Sequence, residues 1–270
     1  MKKILALILA LVMVFAMVAC GTTEVETDSD LAYITGNGKM KVGITIYEPM
    51  NYYDENGELT GFDTEFAQAV CEKMGLEPEF VEINWDTKEV ELAAKSIDCI
   101  WNGMTITEER AANMSISAPY VKNAQVIVVL ADSEIATTAD IIGKTVVAEM
   151  GSAGEAQITG EDANADLAQA EYVGMTKQTD CLMEVKAGTA DAAVLDWTLA
   201  KSMVGEGTDF DDLMIVEGVE LATEEYGIAF RKGSDVTEAV NAAIAELVAD
   251  GTLPALAEKY GLALSPAIEG

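Results

Sequence analysis

Residues 124–130 read AQVIVVL, a continuous apolar run of the kind presented by a strand buried on both faces. What stands on either side of it decides the fold. Upstream, strand patterns alternate with helical ones: MKVGITI (40–46) is a strand, Asp54-Glu55-Asn56-Gly57 a turn, and Asp63 the expected cap of a helix. In that helix Phe66, Val70 and Met74 share one face, and Gly75 stops it. A strand over 79–83, a helix over 87–95 and a strand over 97–101 follow. Downstream the pattern restarts, with strands over 145–148, 171–174 and 190–195 and helices beginning at 138, 153 and 177. A last strand (226–230) and helices over 236–250 and 253–259 close the chain. Two βαβ series and a returning strand predict an α/β protein of two lobes joined by more than one crossing.

The chain has 270 residues, half of them hydrophobic, and a formal net charge of −31. That charge argues against nucleic acid or an anionic membrane surface as partner. There is no histidine, so imidazole bases and His-ligated metals are excluded, and no metal or cofactor is expected. At the N-terminus Lys2 and Lys3 precede an apolar run over 4–18, the plan of an export signal. It ends in Met17-Val18-Ala19-Cys20-Gly21, which looks like a lipobox. The expectation is a signal peptide over 1–19, a lipidated Cys20 and a flexible acidic tether over 20–35, with the protein outside the cell membrane. Cys71, Cys99 and Cys181 fit no zinc spacing; they read as small buried residues, with a Cys71–Cys99 disulfide left open.

GMTITEER (103–110) reads as a strand end and then a helix start capped by Thr107. Glu108 and Glu109 suit the positive end of the helix dipole; Arg110 does not. EMGSAG (149–154) follows a strand and opens a helix, leaving free N–H groups that form a nest for an anion. Asp196 ends the apolar strand 192–195, at the carboxyl edge of a sheet, where open α/β sheets bind ligands.

Gly61-Phe62-Asp63, IDCIWNGMTITEER (97–110), SAPYV (117–121), ADAAVLD (190–196), EYGIAFRKGS (225–234) and ADGTLPALAEKYG (249–261) occur in one register. Together they resemble the amino-acid class of bacterial extracellular solute-binding proteins, family 3, over residues 38–262. The resemblance implies a two-lobed, Venus-flytrap-like periplasmic-binding-protein fold with two hinge strands. Lobe 1 would comprise 36–122 plus 227–265 and lobe 2 residues 127–221, with hinges near 123–126 and 222–226. It implies a monomer that binds a free amino acid and hands it to the permease of an ABC importer. Arg110 would take the substrate carboxylate, helped by a Gly103 N–H, by Thr105, and by Ser152 and Ala153 from the opposite lobe. Asp196 would take the ammonium, with Asn102 offering a carbonyl or a side-chain contact, and Tyr47 and Trp85 would wall the aliphatic part.

The chain departs from the family pattern at two places. The loop after the first strand is short and carries Glu48, and Glu149 stands where Gln, Lys or an apolar residue is common. Two carboxylates near the side-chain pocket imply a polar or cationic amino acid. A dehydratase of prephenate- or arogenate-like substrates and the sensor domain of a receptor are the alternative readings within the family.

Overall fold

The computed structural model describes residues 29–269. The expected signal peptide, Cys20 and the start of the tether lie outside the described residues. The strands are β1 (Lys39–Ile44), β2 (Tyr52–Tyr53), β3 (Leu59–Thr60), β4 (Glu77–Glu82), β5 (Cys99–Thr105) and β6 (Met114–Ile116). They continue as β7 (Val121–Leu130), β8 (Thr145–Glu149), β9 (Glu171–Met175), β10 (Ala192–Asp196) and β11 (Leu213–Arg231). Nine of them form one sheet whose main path runs β4-β1-β5-β11-β7-β10-β8-β9. At one end β4, β1 and β5 are parallel; at the other so are β10, β8 and β9. Between them β11 runs antiparallel to both β5 and β7, and β7 antiparallel to β10.

The chain therefore forms two parallel α/β units, each completed by the two long strands that run through both. Alternation explains the apolar runs. Val126 and Val128 join one core with Ala193 and Leu195, while Ile127 and Val129 join another with Ala192 and Val194. The first core covers one face of the whole sheet, from Ile34 to Leu264. The opposite face carries two separate cores, one around Trp85, Ile97, Ile100 and Met104 and one around Val146, Ile158 and Val194. Since the side-chain period of a strand is two, a run buried on both faces loses its polar alternation.

Three expectations change. Residues 30–37 are a helix capped by Ser29, not the end of a tether; its buried Asp30 pairs with Arg231 at 2.8 Å. Asp63 does not cap the helix Phe62–Met74: Gly61 holds that position, and Asp63 points into the core. Gly61 has φ 117°, and a Cβ there would meet the Met50 carbonyl oxygen at 2.4 Å, so the turn demands glycine. The final strand begins at Leu213 rather than Tyr226, because its acidic half earns its place by pairing with β7 and not by its own pattern. Cys71, Cys99 and Cys181 are all buried free thiols.

Candidate functional site

The carboxyl ends of the two parallel units face each other. The strand ends and turns there bring ten residues to one cleft: Tyr47, Trp85, Asn102, Gly103, Thr105 and Arg110 from one side, Glu149, Ser152, Ala153 and Asp196 from the other. Gln178 lines it as well, at the first turn of the helix Gln178–Lys186. The cavity they enclose is about 10 Å³, the size of one water, so its walls must part to admit a larger solute.

Arg110 lies in the first turn of the helix Glu108–Asn113, whose N-cap Thr107 accepts the Arg110 N–H. It is only 9 % exposed. Its Nη1 donates to the Thr105 carbonyl at 2.8 Å, and its Nη2 crosses the cleft to the Gly151 carbonyl at 3.1 Å. Among the described residues no carboxylate pairs with it, and burial lowers its pKa from the ordinary value, against the pull of Glu224. A guanidinium held by carbonyls alone keeps part of its donor fork free for an anion. Lys88, buried beside it, also donates to the Gly151 carbonyl, at 2.8 Å, and lies 4.8 Å from the Trp85 ring centre. Burial, then Arg110, lowers its pKa to about 8.

The acidic side is richer. Asp196 occupies the N-cap position of the helix Trp197–Met203 but caps no N–H there. Its Oδ1 accepts Asn123 Nδ2 at 2.6 Å and Gln125 Nε2 at 2.7 Å, and its Oδ2 accepts Gln178 Nε2. Glu224 Oε1 accepts the same two amide nitrogens, at 2.6 and 2.8 Å, and the Thr105 hydroxyl at 2.9 Å. Two carboxylates thus share two donors, and among the described residues neither they nor Glu149 form an ion pair. Burial raises the Asp196 carboxyl. Burial and then Asp196 raise Glu224 to about 7 and Glu149 to about 8. Burial without a paired cation favours the protonated form of each carboxyl, and a cation in the cleft would favour ionisation.

Several expected contacts are made otherwise. The Gly103 N–H is taken by Asp63 Oδ2 at 2.7 Å, so it is not a donor to the cleft. What Gly103 supplies is space: a Cβ there would stand 2.6 Å from the Tyr47 ring. The Asn102 side chain is committed to Thr45 and Asn51, which leaves only its backbone for a ligand. The Ser152 oxygen accepts the Glu155 N–H, and Glu155 in turn accepts the Gly151 N–H, so part of the anion nest is already filled. Glu48 turns away to Ser202 at 3.1 Å and is not on the cleft. Tyr47 and Trp85 do line it, with the Tyr47 hydroxyl bonded to Tyr226 and Thr198.

Gln178, Lys88, Glu224, Asn123 and Gln125 went unread in the sequence. Gln125 is the one polar residue of AQVIVVL, and that interruption was its available signal. Lys88 stands three residues after Trp85, one helical turn away.

Comparison with known proteins bears on the same residues. The family model described as bacterial extracellular solute-binding proteins, family 3, matches residues 40–263. The chain is 31 % identical over 267 residues to the arginine-binding extracellular protein ArtP of Bacillus subtilis (strain 168), covering 96 % of this chain and 98 % of that one. It is 32 % identical over 254 residues to the L-cystine-binding protein TcyJ of Escherichia coli (strain K12), covering 92 % of each. Among solved structures, the ancestral amino acid-binding protein AncCDT-1, a precursor of cyclohexadienyl dehydratase, matches with TM-score 0.77 and 29 % identity. That match covers 86 % of this chain and 99 % of the other.

Proposed function

The chain belongs to the bacterial extracellular solute-binding proteins, family 3, and from that membership we propose that it captures a free cationic amino acid for an ABC importer. The charge inventory of the cleft carries the reading. On the inner cavity Glu149 and Asp196 face Arg110, so the fully ionised site holds one more negative than positive charge. An α-amino acid brings one carboxylate for Arg110 and one ammonium for Asp196, which cancel. A second cation on its side chain, beside Glu149, balances the site. An acidic amino acid would add a carboxylate to those already crowded there, and unpaired buried charge is costly. Tyr47 and Trp85 offer flat walls to an aliphatic stem or guanidinium. The arginine-binding relative accords with this choice.

The ten cleft residues, with Gln178, are proposed as the binding site. The lobes are proposed as 36–122 with 227–265, now joined by the helix from Asp30, and 127–221. Ligand would enter with the lobes apart, and the paired segments 123–126 and 222–226 would flex as they close. Lipidation at Cys20, a monomeric state and docking of the closed form on a permease complete the proposal. We propose no catalysis: Arg110 and Asp196 are arranged to hold charges, although the dehydratase-precursor neighbour keeps the enzymatic reading in the family.

Isothermal titration with arginine, lysine, histidine, cystine, glutamine and glutamate tests the reading. Tightest binding of arginine or lysine is expected. Tight binding of glutamate with none of the cationic ligands would overturn it. Turnover of prephenate or arogenate would overturn the non-enzymatic part.

A further inference from the structure

Among the described residues no other lysine is buried as Lys88 is, at 5 % exposure, and it forms no ion pair. Its ammonium rests on its own side's Trp85 carbonyl at 3.1 Å and on the Gly151 carbonyl across the cleft at 2.8 Å. It lies at the mouth of the cleft, not on the inner cavity. Gly151 presses close in return, since a Cβ there would stand 3.0 Å from the Asp86 backbone and 3.2 Å from Lys88 Nζ. Its φ of 73° is one that glycine adopts without strain, and it aims the carbonyl at the opposite side.

Parting the lobes breaks the Lys88–Gly151 bond and leaves the bond to Trp85 intact. The ammonium then exchanges that carbonyl, which Arg110 Nη2 also reaches at 3.1 Å, for water, and closure restores the bond. We infer that Lys88 is a closure residue, which latches lobe 1 to lobe 2 through the Gly151 carbonyl and sets how long a ligand is held without touching it. This rests on the amino-acid-binding reading above. It predicts an effect on dissociation that is blind to ligand identity, because Lys88 lies outside the inner cavity. A hydrogen bond to a charged group is worth enough to slow dissociation roughly tenfold.

Stopped-flow kinetics with L-arginine and with L-histidine on the full folded chain test this in wild type, Lys88→Met and Lys88→Arg. Methionine keeps a stem of similar length against Trp85 and donates nothing; arginine restores donors. Expected are dissociation of both ligands about tenfold faster in Lys88→Met, unchanged association, an unchanged ratio of the two affinities, and substantial recovery in Lys88→Arg. Unchanged dissociation, an altered ligand preference or no recovery would each overturn the inference. If Lys88→Met does not fold, Lys88→Gln is judged by the same criteria. If the wild type binds neither ligand, the amino-acid reading fails by itself. Spin-label distances between Glu72 and Glu171 positions in the ligand-free protein then decide the latch. A smaller closed population in the variant supports it, and an equal one overturns it.

Discussion

Asp63 lies directly behind Gly103, its Oδ2 accepting the Gly103 N–H at 2.7 Å and the Tyr120 hydroxyl at 3.0 Å. The contact fixes the backbone at φ 58°, at the point where β5 meets the cleft. A glycine that looks like a ligand donor in the sequence is instead a pinned corner, with Tyr47 packed where its side chain would be.

Gly103→Ala should therefore damage binding more than its size suggests. The left-handed φ costs an alanine about 1–2 kcal/mol, and the methyl must displace the Tyr47 ring from 2.6 Å. Tyr47 can move only by breaking its hydroxyl bonds to Tyr226 and Thr198. Calorimetry should show at least tenfold weaker ligand binding together with a lower melting temperature. Unchanged affinity would mean that Tyr47 is not a wall of the site.

Asp63 also makes stability depend on pH. Burial raises its carboxyl to about 7 in the folded chain, against about 3.9 when unfolded. Between those values the folded state holds a proton that the unfolded state has lost, so this contribution to stability falls as pH rises from about 4 to about 7 and is flat above. Denaturant midpoints of wild type and Asp63→Asn, measured from pH 4.5 to 8, should diverge in slope, the variant losing that decline. Parallel profiles would show that Asp63 is ionised in the fold.

Arg110→Ala removes the buried cation on which the carboxylate assignment depends. Loss of one partner of a buried charge pair costs more than about 2 kcal/mol of affinity, so binding should weaken by well over tenfold by calorimetry. Normal affinity would place the ligand carboxylate elsewhere.

These residues show what a chain discloses locally and what it does not. Motifs in register bring ten residues to one cleft, and Thr107 caps its helix as its hydroxyl and position require. Which atom each residue spends on the site depends on depth, and depth is tertiary. Asp63 sits in a first turn, where an acidic residue satisfies the helix dipole just as well from the surface; only the overlying β5 makes it a buried acceptor. Glu224 reads as one more charge in ATEEYG until the β7 register puts it opposite Asn123, two residues from the Ala222–Gln125 pair, where it meets both Asn123 and Gln125. Glu48 and Glu149 were equal candidates by sequence. The loop turns one toward Ser202, and the end of β8 buries the other in the cleft.

Glu149 then carries the last prediction. Its carboxyl is raised to about 8 by burial and by Asp196, and Glu224 to about 7 by burial and by Asp196. Binding a cation beside them favours their ionised forms, so each gives up a proton where the free protein still holds it. Affinity for arginine should rise with pH from about 5 to about 8, as these carboxyls lose the protons that binding displaces. At pH 7 the binding enthalpy should depend on the buffer's ionisation enthalpy. Glu149→Gln keeps the shape and removes its own titration, so the variant should show a shallower rise and a smaller buffer dependence. It should also lose most of its preference for arginine over glutamine, a change of about 1.5–3 kcal/mol as expected for a hydrogen bond to a charged group. Affinity that falls over the same pH range, or a preference untouched by Glu149→Gln, would place the ligand's second cation away from Glu149.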